Sequence, residues 1–200
     1  MGDGMSNVAF DEDYYRRWYG DAGTRAHTQA DRRVEAAYVM SALGYMRVPV
    51  KSVVDVGCGV GHWRTALREI NPAINYTGVE VSDFACQRFG WIHSSADQFL
   101  PRQKFDLVIC QQVLQHLDNK ACAKALANMA SYCRGALFLQ VVTRGDWDGD
   151  MLDKARTEHH QFLRTLAWYR KQLAPHFIGV GGGLFLARRA KVPTFELEKT

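Results

Sequence analysis

Apolar positions along the chain alternate between two periods. Lys51–Val56 (KSVVDV) is a short β-branched run suited to a strand buried on both faces, and Trp63, Ala66, Leu67 and Ile70 then recur at helical spacing. The alternation repeats downstream. Residues 74–81 (INYTGVEV) read as a second strand with a helix start at Ser82–Asp83, 91–93 as a short third strand, 104–110 (KFDLVIC) as a fourth and 135–142 (GALFLQVV) as a fifth. Between the last two, Asn119 stands where a helix cap belongs, with Cys122, Leu126, Met129 and Cys133 on one face. After the fifth strand the pattern predicts a helix over 157–173, then strands at 177–180 and 183–187 around a glycine turn. Ahead of the first strand, 11–20 (DEDYYRRWYG) mixes aromatics and charges without clear period. A helix with Val34, Ala37 and Tyr38 on one face then runs to a stop at Leu43–Gly44. Strand and helix alternating in this way predict an α/β fold, a doubly wound and mostly parallel sheet with ligand sites at the carboxyl ends of its strands.

The length, 200 residues, suits one domain with a core of its own. We expect an N-terminal helical cap over 1–46, a core over 47–190 and a tail over 191–200. No apolar run reaches the roughly 18 residues of a membrane span, and the acidic, glycine-containing start is unlike a signal peptide, so no membrane partner and a cytoplasmic location are expected. A net charge of +4 with basic residues interspersed among acidic ones lacks the basic stripe that nucleic acid requires. Five cysteines without a C-x-x-C pair suggest neither a disulfide frame nor a zinc site. Asp146, Asp148 and Asp150 alternate as chelating carboxylates can, but a calcium loop needs Gly and Glu where Met151 and Thr157 stand. No metal is expected.

Candidate chemistry starts at Asp55–Gly61 (DVGCGVG), where the first strand runs into a glycine-rich turn. Glycines there tolerate positive φ and let a ligand approach the backbone, and the next helix opens with unpaired N–H groups. The spacing selects among nucleotides. A dinucleotide fingerprint G-x-G-x-x-G would need a small third residue where His62 stands, and a P-loop would need G-K-[ST]. With Asp55 two residues before the first glycine, the segment resembles motif I of the class I S-adenosylmethionine-dependent methyltransferases.

That resemblance extends from Val53 to Arg189. It implies a seven-stranded Rossmann-like sheet closed by an antiparallel last strand, S-adenosylmethionine as cofactor, S-adenosylhomocysteine as product and a small-molecule acceptor, with O-methylation favoured over N- or C-methylation. By the same resemblance Asp55, Gly57, Cys58, Gly59 and Gly61 pass under the methionine part of the cofactor, and Glu80 takes the ribose hydroxyls. Val81 walls the adenine, Ala96–Asp97 meets the adenine amino group, and Cys110 and Gln111 face the sulfonium. Tyr14 and Tyr19, in the densest aromatic cluster of the chain, suit a lid over that charge. Planar-amine methyltransferases carry [ND]-P-P-[YF] where Gln111–Leu114 stands, and no double-glutamate loop of the protein-arginine type is present.

A methyl on positive sulfur is already activated, so positioning supplies roughly 7 to 11 kcal/mol of the barrier and a general base is optional. Candidate bases are His116, expected in the helix after the fourth strand, and His159 and His160, expected to open the helix after the fifth, where a helix N-terminus would keep an imidazole neutral. Trp147 and its neighbouring acids stand on the same side. Two other readings remain open: a cofactor-holding but inactive partner of another chain, and, disfavoured by the early glycine, a nicotinamide dehydrogenase.

Overall fold

The computed structural model describes residues 10–21, 23–24, 28–149 and 152–192. Seven strands form one sheet: β1 (Ser52–Val56), β2 (Asn75–Glu80), β3 (Ile92–His93), β4 (Phe105–Gln111), β5 (Cys133–Gln140), β6 (Phe177–Gly181) and β7 (Leu184–Ala187). Their spatial order is β3-β2-β1-β4-β5-β7-β6, with β7 antiparallel to both its neighbours and the other pairings parallel. The order reverses between β1 and β4, which is where a doubly wound sheet opens a crevice for ligands.

Alternation along each strand sorts side chains onto two cores. Val54, Val56, Val108 and Cys110 face one side, under α5 (Asn119–Tyr132) and α7 (Leu166–Leu173). Val53, Leu107 and Ile109 face the other, under α2 (Gln29–Tyr45) and α3 (His62–Ile70). α1 (Glu12–Tyr15) and a π-helical turn, Arg16–Gly20, precede α2, while α4 (Asp83–Phe89) leads from β2 to β3 and α6 (Arg144–Asp148) follows β5. No helix among the described residues is long and apolar enough to cross a membrane. The five cysteines are unpaired, with Cys86 the least enclosed.

Four expectations need correction. The packed stripe of α2 is Arg32, Ala36, Val39 and Leu43, at i, i+4, i+7 and i+11, so Val34 and Tyr38 lie on the outer face at 71% and 41% exposure. Asp118, not Asn119, caps α5, its carboxylate accepting from Ala121 N at 2.8 Å. The segment after β4 forms only a 3₁₀ turn, Leu114–His116. The helix expected from 157 starts at Leu166 behind a Thr165 cap, because the Glu158 carboxylate takes the N–H groups of His159 and His160 and Arg164 takes the Phe162 carbonyl.

At the amino-terminal edge of the sheet, Asp106 ties three strands together. Its carboxylate accepts from Lys51 N and Ser52 N at 2.9 Å each and from Arg134 Nε at 2.6 Å. The β4–β5 register shifts here, and Gly135 lies so close to Asp106 that a Cβ would stand 2.3 Å from its carbonyl oxygen. Strand backbones on both sides leave that atom little room to retreat. Gly135→Ala should therefore destabilise the fold by about 1–3 kcal/mol, read as a lower urea midpoint; an unchanged midpoint would show that the register gives way freely.

Candidate functional site

The turn after β1 is left-handed at Gly57, Gly59 and Gly61, with φ of 77°, 53° and 80°. Space as well as torsion requires glycine at all three: a Cβ on Gly57 would stand 2.2 Å from Val113 Cγ2, one on Gly59 2.9 Å from the Tyr19 hydroxyl and one on Gly61 2.7 Å from Trp91 Cζ2. Glu80, at the end of β2 and 5% exposed, holds the turn. One carboxylate oxygen accepts from Gly59 N at 2.8 Å, the other from Val81 N at 2.7 Å and Ser82 N at 3.2 Å. Gly57 N and Cys58 N bond Val79 O at 2.8 and 3.1 Å, and Trp91 Nε1 donates to Gly59 O at 2.8 Å.

Above the turn lies a cavity whose floor includes Gly57, Glu80, Val81, Ala96 and Gln111. Phe10, Tyr14, Tyr15 and Tyr19 roof it, so the aromatic cluster stands where a lid was expected. The roof is stapled at several points: Ser82 Oγ donates to Phe10 O, Tyr15 lies 5.8 Å from the Phe84 ring, and Tyr19 lies 5.8 Å from His62. Burial pushes the phenols of Tyr14, Tyr15 and Tyr19 well above their ordinary range, so they remain hydroxyls. The volume left beneath them is about 70 Å³, far below the roughly 300–1,000 Å³ of sites that enclose small molecules.

Other expected residues fall outside this cavity. Asp97 turns its carboxylate to Ser95 Oγ and Gln98 Nε2, both at 2.7 Å, and Ser94 and Ser95 line the wall instead. Strand parity sends Cys110 into the core beneath α5, wholly buried, and burial raises its thiol as it does that of Cys58; neither is a thiolate. Gln111, one residue on, faces the opposite side. Its amide joins Arg32, Glu35, Trp63 and Gln140 in a partly buried network, with Trp63 Nε1 to Gln111 Oε1 at 2.8 Å and Gln111 Nε2 to Gln140 Oε1 at 2.6 Å. Arg32 had a sequence signal, a cation in register with Ala36, Val39 and Leu43.

Of the three candidate histidines, His116 reaches the site, against the edge of Phe10 at 5.5 Å. Burial lowers its imidazole from 6.5 to about 4, partly offset by Glu158, so it is neutral near pH 7 but a weak base. His159 and His160 are exposed, in irregular chain rather than at a helix start. Their backbone N–H groups donate to Glu158 Oε1 at 2.8 and 3.1 Å, and His159 packs edge-on to Trp147 at 5.3 Å, away from the cavity. Asp146 spends its carboxylate on a capping box with Thr143; Asp150 lies outside the described residues.

Residues that the sequence reading passed over complete the picture. Gln112, left-handed at φ 57°, lines the cavity with Val113, and its N–H reaches Gln140 O at 2.8 Å. Arg164, 5% exposed, donates to Leu114 O at 3.0 Å, Asn119 Oδ1 at 2.8 Å and the Tyr169 hydroxyl at 3.2 Å, and also to Leu117 O. It clamps the turn after β4 to the chain leading into α7.

Asp55 sits beneath the glycine turn, 2% exposed, with Tyr76 Oη donating to it at 2.6 Å. Burial lifts its carboxyl from 3.8 to about 7, against the pull of Tyr76 and of Arg32. A folded-state pKa raised above the unfolded value contributes stability that is complete below the unfolded pKa and lost as pH climbs through the folded one. Asp55→Asn keeps an acceptor for Tyr76 without the ionisation. Its stability relative to wild type should improve by on the order of 2 kcal/mol between pH 5 and pH 8, read from urea melts; a pH-independent difference would mean that Asp55 titrates normally.

Comparison with known proteins gives this geometry a family. A methyltransferase-domain model matches residues 26–174. A curated ubiquinone biosynthesis O-methyltransferase from Aromatoleum aromaticum is 25% identical over 107 residues, 47% of this chain and 45% of that protein, so the match spans less than half of the relative's length. Among solved structures, DesVI of Streptomyces venezuelae superposes with a TM-score of 0.62 at 16% identity, covering 82% of this chain and 92% of its own. Magnesium protoporphyrin IX methyltransferase of Synechocystis, solved with bound SAH, gives 0.59 at 21% identity and covers 89% of both chains. At such identities these likenesses speak for the fold, and the family model covers most of the chain: the protein belongs to the methyltransferase-domain family.

Proposed function

We propose that the chain binds S-adenosylmethionine at the carboxyl ends of β1, β2 and β4 and transfers its methyl group to a small organic acceptor. The observation that carries this reading is Glu80, a buried carboxylate that at once braces a left-handed glycine turn and lines the cavity beside Val81 and Ala96. Its two oxygens offer about four acceptor sites, and three backbone N–H groups use three of them, leaving one toward a ribose hydroxyl. Gly57 and Gly59 leave the floor bare of side chains, and Val81 and Ala96 offer apolar surface to a base. The cofactor, when bound, supplies an electrophilic methyl on positive sulfur.

What the chain supplies is placement. Gln111 is locked by four partners, so the edge of β4 is rigid where acceptor and donor meet. Tyr14, Tyr15 and Tyr19 exclude water and present aromatic faces suited to a sulfonium. His116 is neutral and adds no competing positive charge. Oxygen was the expected acceptor atom, but nothing in the donor cavity selects oxygen over nitrogen, and that choice falls to the space beyond His116.

Thermal shift tests the donor. S-adenosylmethionine and S-adenosylhomocysteine should raise the melting temperature and NAD should not; stabilisation by NAD alone would overturn the reading. Glu80→Ala should weaken S-adenosylhomocysteine binding at least tenfold, about 1.4 kcal/mol, in calorimetric titration. Equal affinity would remove Glu80 from the site.

A further inference from the structure

A groove of about 1010 Å³ runs between α7 and the β6–β7 hairpin, at the upper end of the roughly 300–1,000 Å³ of sites that take small molecules. Leu166, Tyr169, Arg170 and Leu173 line it at i, i+3, i+4 and i+7, one face of α7. Ile178 and Phe185 line it from the hairpin. Its apolar lining is not sealed inside the core: Leu166 is 54% exposed, and Val141, Leu152, Ile178 and Phe185 each keep part of their surface open. Covering such surface is favourable in proportion to its area.

The groove is continuous with the donor site. A smaller cavity of about 340 Å³ lies between the two, sharing Gln112, Val142 and Leu152 with the groove and Tyr14, Tyr19, Gln112 and His116 with the cavity over the glycine turn. Gln112 borders all three. Its left-handed backbone is costly for a residue other than glycine and persists where the surroundings hold it. The bond from Gln112 N to Gln140 O and one from Gln115 Nε2 to Gln112 Oε1 at 3.0 Å do so. A molecule lying in the groove passes Gln112 on its way to the donor.

Strand register gives the groove its direction. Leu184 pairs with Phe138 near the end of β5, Leu186 with Ala136 toward its start, and Arg188 follows two residues on. From the level of Gln140 to that of Arg188 is about six residues at roughly 3.3 Å each, or about 20 Å. Charge differs between the two ends. At the far end Ala174 N donates to Arg170 O at 2.9 Å and Arg188 Nε donates to Ala174 O at 2.8 Å, which gathers two guanidinium groups there. The single carboxylate on the lining among the described residues is Asp146, at the opposite end, and it is taken by Thr143 N and Oγ1 at 2.8 and 2.7 Å.

We infer that this groove holds the body of the methyl acceptor, an elongated apolar molecule with a carboxylate at the end remote from the methylated one; the inference rests on the donor site proposed above. The apolar body covers Leu166, Ile178 and Phe185, the carboxylate meets Arg170 and Arg188, and the other end reaches past Gln112 to the donor. A compact polar acceptor would leave the apolar lining wet. A cationic head would be set against two guanidinium groups.

Dodecanoate, hexanoate and dodecyltrimethylammonium serve as probes, titrated calorimetrically below micelle-forming concentrations into the full chain with and without S-adenosylhomocysteine. Dodecanoate should bind at least tenfold more tightly than hexanoate, a modest return on its extra methylenes, and at least tenfold more tightly than the ammonium. Leu166→Asp should lower dodecanoate affinity at least fivefold, and Arg170→Glu should erase the preference for carboxylate over ammonium. Both positions are exposed, and an acid in the first turn of α7 suits the helix dipole. Both variants should therefore melt and bind S-adenosylhomocysteine as wild type does. Dodecanoate carrying a nitroxide at its far end should broaden the resonances of bound S-adenosylhomocysteine more than dodecanoate carrying it beside the carboxylate. Equal affinity for the two chain lengths, unchanged affinity in Leu166→Asp or the reverse order of broadening would overturn the proposal. So would a dimer in sedimentation that Leu166→Asp dissociates, since a second copy would then own the groove. Chain-length and charge selectivity without any S-adenosylhomocysteine binding would instead overturn the donor reading.

Discussion

The site depends on one buried carboxylate reaching across a strand gap. Glu80 ends β2, yet it accepts from the backbone of the turn that ends β1, and the turn holds three glycines in left-handed conformation. Hydrogen bonds to a charged acceptor are worth about 1.5–3 kcal/mol each, enough to hold a backbone that would otherwise spread over several conformations. From the held turn follow the start of α3 at His62, the seat of Trp91 on Gly59 O and the bare floor over β1 and β4. Asp55 below is the counterpart: an acid kept in the core by one phenol and the shape of the turn.

The glycine turn was legible because its signals are local. Strand, glycine spacing and terminal acid lie within thirty residues of chain, and the backbone they specify is that of Asp55–Gly61 and Glu80. The closing hairpin was equally plain, with Gly182 and Gly183 supplying the positive φ its turn requires. What was hidden depends on partners far away in sequence. Arg32 and Gln111 are 79 residues apart, and Gln111 gains its meaning from a network that no window contains. The resemblance implies that Cys110 and Gln111 both face the sulfonium, but strand parity sends neighbours to opposite faces and Cys110 into the core.

The stretch after β5 was misread for a physical reason. Residues 157–165 carry helical periodicity, but Glu158 uses its side chain on the backbone of His159 and His160, and Arg164 is drawn under Leu114 and Leu117. Each set of bonds competes with an i→i−4 ladder, Glu158 by accepting from backbone N–H groups and Arg164 by burying its charge among carbonyls. The result is a division within the fold: the glycine-turn cavity is built on strand and helix ends, and the neighbouring wall on irregular chain held by one guanidinium. Loops carried on a rigid scaffold are where binding specificity ordinarily resides.

The aromatic strap over the donor cavity occupies volume that a nucleoside would need. With about 70 Å³ beneath it, a cofactor bound as proposed would need the strap to lift, Tyr19 moving off Gly59, before the aromatics could settle over it. Its apparent affinity is then the intrinsic one scaled by the fraction of time the strap stands open. At high cofactor concentration the observed association rate should level off at the opening rate. On the proposed reading, a change at a strap aromatic such as Tyr15 would act first on exchange of cofactor for product.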